Sequence, residues 1–150
     1  MLQGSVFRRA KRLTSREIAR FVEAACLLTA AWLAIKVLPF RILMRTTHFG
    51  RATNERSDDH QRVLGRDVRR AVQRAARRLP WTIVCFPEGL AAHWMLRRRG
   101  ACSQLHYGLR SSLDKLSAHV WVTLAGEVVI GEETDDAHHC VATFPQPLSR

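Results

Sequence analysis

Cys85 and His119 are the two residues whose types and positions favour covalent chemistry. Cys85 ends the apolar run "WTIVC" at the predicted start of a helix. There, free amide hydrogens and the positive end of the helix dipole favour the thiolate form. The same amide hydrogens are suited to holding an oxyanion beside the sulfur. A thiolate enzyme also needs a base, and His119, which opens the predicted strand "HVWVTL", is the best-placed histidine.

A predicted hairpin follows His119 in the chain. Ala125-Gly126 is a plausible two-residue turn between two stretches of alternating apolar residues. If these are the turn residues, Leu124 pairs with Glu127 and Val122 pairs with Val129.

The same count supplies a group that would orient the imidazole. It places Glu132 opposite His119, and a carboxylate at that point completes a Cys-His-acid constellation. A register shift of one residue would put Glu133 there instead. The alternative to catalysis is that Cys85 is a small core residue and His119 a structural one.

These residues must be positioned by helices that come first in the chain and by an antiparallel sheet that comes second. "TSRE" at 14–17 has the form of a capping box and opens a helix that Pro39 ends. Periodicity predicts further helices over about 59–79 and 85–99, and strands over 102–110, 118–124, 127–131 and 140–144. This order predicts an α+β fold.

The net charge of +11 predicts an acidic partner. Arginines crowd the second predicted helix at positions 62, 66, 69, 70, 74, 77 and 78. This face either binds a partner or is merely solvated. An alternative is that the arginines bind nucleic acid, which steeply salt-dependent binding would support. However, aromatic residues are not interleaved with the arginines, as a base-stacking platform requires. We therefore expect no nucleic acid.

The composition also bears on compartment and metals. The four cysteines include no C-x-x-C pair and no secretory signal is evident, so reduced thiols in the cytoplasm are expected.

The apolar segment 18–40 has an uncharged centre of twelve residues, 24–35, where a membrane span needs about 20. A buried helix is expected rather than a span, with a membrane-surface helix as the alternative. "HHC" at 138–140 is a poor metal site because adjacent side chains on an extended segment point apart.

The residues around the cysteine and histidine form a combination that resembles a known family. "PWTIVCFPEGLAAHWMLRRRGACSQLHYGLR", followed by "LSAHVWVTLAGEVVIGEE", is similar to the transglutaminase-like cysteine protease domain of lasso-peptide leader peptidases, the B proteins that process microcin-like precursors. Four features carry the resemblance. They are Pro80-Trp81, Cys85, an arginine-rich turn ending at Gly100, and Ala118-His119 before Trp121. It extends over about residues 12–145.

The resemblance implies an activity and its participants. Cys85 would be the nucleophile and His119 the base in hydrolysis of the bond between a leader and a core peptide, through a thioester and without a cofactor. The implied partners are the precursor peptide, a lasso cyclase and, because no leader-recognition module is evident before Cys85, a separate recognition protein. Trp81, His106 and Trp121 are candidate substrate-binding residues.

The sequence departs from the family at the acid. The family's acidic residue lies about a dozen positions beyond the histidine, where this chain has Gly131 followed by Glu132 and Glu133. The predicted catalytic set is Cys85, His119 and, from the hairpin count, Glu132, with Glu133 as the alternative acid. The rival from another class is a non-catalytic scaffold, a decayed peptidase that presents precursor to the cyclase.

The expected architecture is a papain-like or transglutaminase-like core. Residues 1–45 are expected to form an N-terminal helical segment, and residues 46–150 the peptidase core, the two together making one compact unit.

Overall fold

A capped helix begins the described part of the chain. The structure is a computed structural model, and it describes residues 14–48, 50, 57–112, 115–131 and 138–145. Helix α1 spans Ser15–Val37, and its predicted capping box is present. The Thr14 amide donates to a Glu17 carboxylate oxygen at 2.8 Å, and the Glu17 amide donates to the Thr14 hydroxyl at 3.3 Å.

Pro39 ends α1 as predicted, but the chain returns to helix at once. Helix α2, which was not predicted, spans Phe40–Arg45, and a 3₁₀ turn follows at Thr46–His48. Pro39 serves as the N-cap of α2 with φ −64°. The same ring that cannot continue one helix is therefore preorganised to begin the next.

Two longer helices complete the helical part. Helix α3 spans Asp58–Ala76 and helix α4 spans Cys85–Arg98, each close to its predicted bounds. Two arginines, one on α3 and one just after it, make contacts within the protein. The Arg62 guanidinium donates to the Glu127 carboxylate at 2.7 Å, and the Arg78 guanidinium lies 5.4 Å from the centre of the Phe21 ring.

A four-stranded antiparallel sheet follows. Strands β1 (Ser103–Ser112), β2 (Lys115–Leu124), β3 (Glu127–Ile130) and β4 (His139–Phe144) lie in the order β3-β2-β1-β4. Together with the helices, this sheet confirms the predicted α+β class. Ala125 and Gly126 both have positive φ, 51° and 80°, as a two-residue hairpin turn requires.

The hairpin register differs from the prediction beyond its first pair. Leu124 pairs with Glu127 as expected, but a bulge then shifts the register, so Val122 pairs with Ile130 and not with Val129. Val129 is the additional residue of β3, because a bulge sets two residues of one strand against one of the other. The count that placed Glu132 opposite His119 is therefore wrong.

One hydrophobic core joins the helices to one face of the sheet. Helix α1 packs on α3 and α4, and α4 packs on β1 and β2. Fully or nearly fully buried members of this core include Leu28, Val68, Leu90, Leu105 and Val120. The proposed boundary between residues 45 and 46 stays a prediction. By length and composition α1 is apolar enough to cross a membrane.

A buried histidine links three elements across this core. His93 of α4 donates through Nε2 to the Thr47 carbonyl at 3.0 Å, and its Nδ1 lies 3.0 Å from the Ser103 hydroxyl. Because a carbonyl only accepts, Nε2 carries the hydrogen and Nδ1 accepts from Ser103. Burial lowers the pKa of His93 to about 4, although the Thr47 bond opposes the shift.

We expect His93 to make the fold acid-sensitive. In the unfolded chain the imidazole binds a proton below its ordinary pKa of 6.5, whereas in the folded chain it does so only near 4. The contribution of His93 to the free energy of unfolding is therefore fully present above pH 6.5 and is lost as the pH falls toward 4. The loss amounts to about 3 kcal/mol. Urea unfolding of the wild type and His93→Gln at pH 7 and pH 4 measures it. The variant should lose less stability on acidification, and parallel losses would contradict the prediction.

Candidate active site

The first turn of α4 presents Cys85 with unsatisfied amide hydrogens. Val84 is the N-cap and gives no side-chain cap, and the Glu88 amide is the first to bond back, to the Val84 carbonyl at 3.4 Å. Pro87 has no amide hydrogen. Cys85 and Phe86 therefore supply the free donors of this turn. This is the environment that the sequence predicted for Cys85.

A close contact fixes α4 on the sheet near His119. A Cβ atom at Gly89 would lie 2.7 Å from a Val120 methyl carbon, so only glycine allows the helix to approach this closely. Gly89 is one turn after Cys85, and Val120 is next to His119 in β2. The contact thus holds the helix start beside the strand that bears the histidine.

Cys85 and His119 line one cleft of about 310 Å³ between α3, α4, the middle of β2 and the end of β3. The other lining residues are Arg69, Gln73, Ile83, Val84, Glu88, Val120, Ile130 and Gly131. Among the described contacts the Cys85 thiol makes no hydrogen bond, so thiol and imidazole share the cleft without being bonded to each other. Such bonds are often long before substrate binds.

The His119 imidazole is oriented by a backbone carbonyl. Its Nε2 lies 3.3 Å from the Gly131 oxygen. Since a carbonyl oxygen only accepts, Nε2 carries a hydrogen, and the neutral tautomer that fits this contact has its lone pair on Nδ1. Gly131 has φ 90°, and a Cβ there would lie 2.6 Å from Cβ of Trp121. Position 131 is therefore closed to a side chain and contributes its carbonyl instead.

Neighbouring rings hold the imidazole on the face of β2 opposite α4. The His119 ring is stacked with Trp121, 6.3 Å between centres and 16° between planes, and its centre lies 5.5 Å from that of His138. Gly108, paired with His119, makes room for both neighbours. A Cβ there would lie 2.7 Å from the Trp121 ring and 3.3 Å from Cβ of His138.

The three predicted substrate-binding residues lie outside the lining of the cleft. Trp81 stacks on Trp32 of α1, 5.3 Å between ring centres. His106 lies on the same face as Trp121 and bonds the Thr123 and Thr143 hydroxyls at 2.8 and 3.0 Å, and burial lowers its pKa. Trp121 lies between His106 and His119. Their substrate-binding role stays a prediction.

The predicted acid, Glu132, and its alternative, Glu133, lie outside the described residues. Continuing the shifted register would set position 133, not 132, opposite His119, but β3 pairs only as far as Ile130. The assignment of Glu132 thus keeps its place as a prediction without the count that supported it.

Sequence reasoning did not place three polar residues that line the cleft. Arg69 and Gln73 are one turn apart on α3, and Glu88 is one turn after Cys85 on α4. Burial raises the pKa of Glu88, and the Arg77 charge opposes this in part. The three-residue spacing from Cys85 to Glu88 could have indicated that both side chains lie on one side of α4. Nothing in the sequence indicated that α3 lies against the part of the sheet that bears His119.

The other cysteines and histidines form no metal centre in the part of the chain that the structure describes. All four cysteines are free. Cys140 lies 3.9 Å from Nδ1 of His106 and is exposed. It is therefore a second thiol beside a histidine, on a different strand from the cleft.

Comparison with known proteins identifies the domain type. The family model Transglut_core3, described as transglutaminase-like superfamily, matches residues 24–142. No curated protein and no solved structure gives a significant match.

Replacing Gly131 with alanine should cost more stability than the same change at Gly126. Both glycines have positive φ, so both variants incur the backbone strain of about 1 kcal/mol. Only at Gly131 does the new methyl meet neighbours, whereas nothing lies within 4 Å at Gly126. We expect a further loss of about 1–3 kcal/mol for Gly131→Ala from overpacking. Urea unfolding of the two variants measures this difference, and equal losses would show that the position is open.

Proposed function

Since the chain belongs to the transglutaminase-like superfamily, we propose that it is a cysteine peptidase that removes the leader from a ribosomally synthesised lasso-peptide precursor. The observation that carries the proposal is a single cleft lined both by a thiol at an uncapped helix start and by a histidine. The family match supports the superfamily. The substrate rests on the resemblance of "PWTIVC" and "AHVWV" to the leader peptidases.

The proposed reaction begins at Cys85. Nδ1 of His119 takes the thiol proton, and the sulfur attacks the carbonyl carbon of the scissile peptide bond. The amide hydrogens of Cys85 and Phe86 stabilise the oxyanion that forms. The C–N bond then breaks as His119 returns the proton to the leaving amine, which leaves a thioester. A water molecule deprotonated by His119 hydrolyses the thioester and frees the thiol.

Glu132 is the proposed acid that supports His119, and Glu133 is the alternative. The Gly131 carbonyl already fixes the tautomer that leaves Nδ1 free, which is one of the two tasks of the acid in a triad. The remaining task is to stabilise the imidazolium by charge. A carboxylate adjacent to Gly131 in sequence is suited to that task.

The surroundings of the cleft suit a peptide. Arg69, Gln73 and Glu88 offer charged and amide groups to a peptide backbone, and Trp81, His106 and Trp121 remain candidates for contacts to its side chains. We place the enzyme in the cytoplasm with a separate recognition protein, which presents the leader, and a cyclase, which closes the ring. No cofactor enters the proposed chemistry.

Substitution of Cys85 tests the proposal directly. Cys85→Ala should abolish cleavage of precursor in the presence of the recognition protein, and His119→Ala should reduce it by about a thousandfold or more. Cys26→Ala is the matched control, because Cys26 is exposed on α1 and should be dispensable. Cleavage is followed by mass spectrometry. Undiminished cleavage by Cys85→Ala would sink the proposal, and comparing Glu132→Gln with Glu133→Gln assigns the acid.

The rival function is a scaffold that retains the fold but has lost catalysis. An active site should make Cys85 react with iodoacetamide at neutral pH faster than Cys26, although Cys26 is the more exposed thiol. Cys140 is a second control, because it is exposed and has a histidine nearby without a helix start. Rates for each cysteine come from peptide mass spectrometry. A Cys85 rate no higher than that of Cys26 favours the scaffold.

A further inference from the structure

One side of α1 is exposed, apolar and without an acidic residue. We call it the outer face of α1. Its members recur at steps of three or four residues and are Ile18, Val22, Cys26, Ala30, Leu33 and Val37. Val37 is 77% exposed and Val22 53%. The solvent side of a helix in a globular protein is ordinarily polar, so this face has the character of a binding surface.

The fold keeps this face outside. On the inner side of α1, Arg20 pairs with Asp67 of α3, and Glu23 pairs with Arg99 of α4. Ala24, Leu28 and Ala31 are fully buried on that side. Crossing a membrane would require α1 to leave these partners, whereas lying on a membrane would not. The geometry therefore allows a surface-bound helix and disfavours a spanning one.

Cations border the apolar surface at both ends. Arg16 is exposed at the start of α1, and Lys36, Arg41 and Arg45 are exposed around its end. In the chain beyond α1, the apolar residues Leu38, Phe40 and Ile42 are also exposed, at 37%, 49% and 44%. An apolar helix face with a cation at one end and a group of three cations at the other complements anionic headgroups above hydrocarbon.

Other occupants fit this surface less well. If a second copy bound antiparallel, Arg16 of each chain would face Lys36 of the other, and a parallel arrangement would set like ends together. A specific protein interface relies on Trp, Tyr or Arg anchors near its centre. Between Ile18 and Val37 the outer face carries only aliphatic and cysteine side chains.

We propose that the outer face of α1 binds the surface of an anionic lipid bilayer, with the helix lying in the plane of the membrane. The cleft is lined from α3, α4, β2 and β3, and by no residue of α1. The sheet lies across α4 from α1. A membrane-bound chain would thus keep the cleft facing the solution. The inference is independent of the proposed peptidase activity.

Vesicle binding of the full chain tests this inference. The wild type should float with vesicles of phosphatidylglycerol and phosphatidylcholine, bind phosphatidylcholine alone far less, and dissociate as salt is raised. The double variant Val22→Glu and Leu33→Glu should bind at least tenfold more weakly, because it sets two charges into the apolar contact. Neutralising Lys36 and Arg41 with glutamine should weaken binding about fivefold for each cation.

Leu116→Glu is the matched control, because Leu116 is 74% exposed on β2, away from the outer face of α1. It should bind vesicles like the wild type. Both glutamate variants replace exposed residues, and circular dichroism verifies that they fold. Failure of the wild type to bind anionic vesicles, or equal binding by the Val22/Leu33 variant, overturns the inference. The inference is also overturned if sedimentation shows that the wild type is a dimer, that the Val22/Leu33 variant is a monomer, and that the wild type does not bind vesicles. Cleavage of precursor in solution by the same variant should be unchanged, which separates this test from that of the peptidase.

Discussion

The contact between Gly89 and Val120 is the constraint on which the arrangement of the cleft depends. A glycine in the middle of a helix costs about 0.5–1 kcal/mol relative to alanine. Here it lets the α4 backbone lie directly on the Val120 side chain of β2. The start of α4 is consequently held beside the middle of β2, the strand that bears His119. Were the helix displaced by the width of one methyl group, the thiol of Cys85 would move relative to the imidazole.

The imidazole is positioned by a separate set of contacts on the other side of the strand. Gly108 leaves a gap opposite His119, and Trp121 and His138 occupy it. The Gly131 carbonyl then fixes the ring nitrogen that carries hydrogen. Gly108 and Gly131 thus make room for the neighbours of His119, and Gly89 makes room for the helix that carries Cys85. The two halves of the site share little beyond β2 itself.

Local patterns in the sequence predicted the elements well, because their causes are local. The capping box at Thr14 and the turn at Ala125-Gly126 depend on residues within four positions of each other. The bulge next to Val122 is a feature of the pairing between two strands, and β3 also contacts α3, which is distant in sequence. It is also the reason that the count to Glu132 failed. Gln73 enters the cleft only through the packing of α3 near β3, a long-range contact that periodicity does not encode.

A backbone oxygen that orients a histidine has a consequence for how the site responds to genetics. Every side-chain substitution at Glu132, Glu133 or elsewhere leaves the Gly131 carbonyl in the chain, so a scan that replaces one side chain after another cannot delete this contact. Such a scan would describe the site as a cysteine and a histidine with weakly contributing neighbours, even where a third group acts. Only chemistry that alters the main chain, such as exchange of the amide following Gly131 for an ester, weakens that acceptor while keeping every side chain.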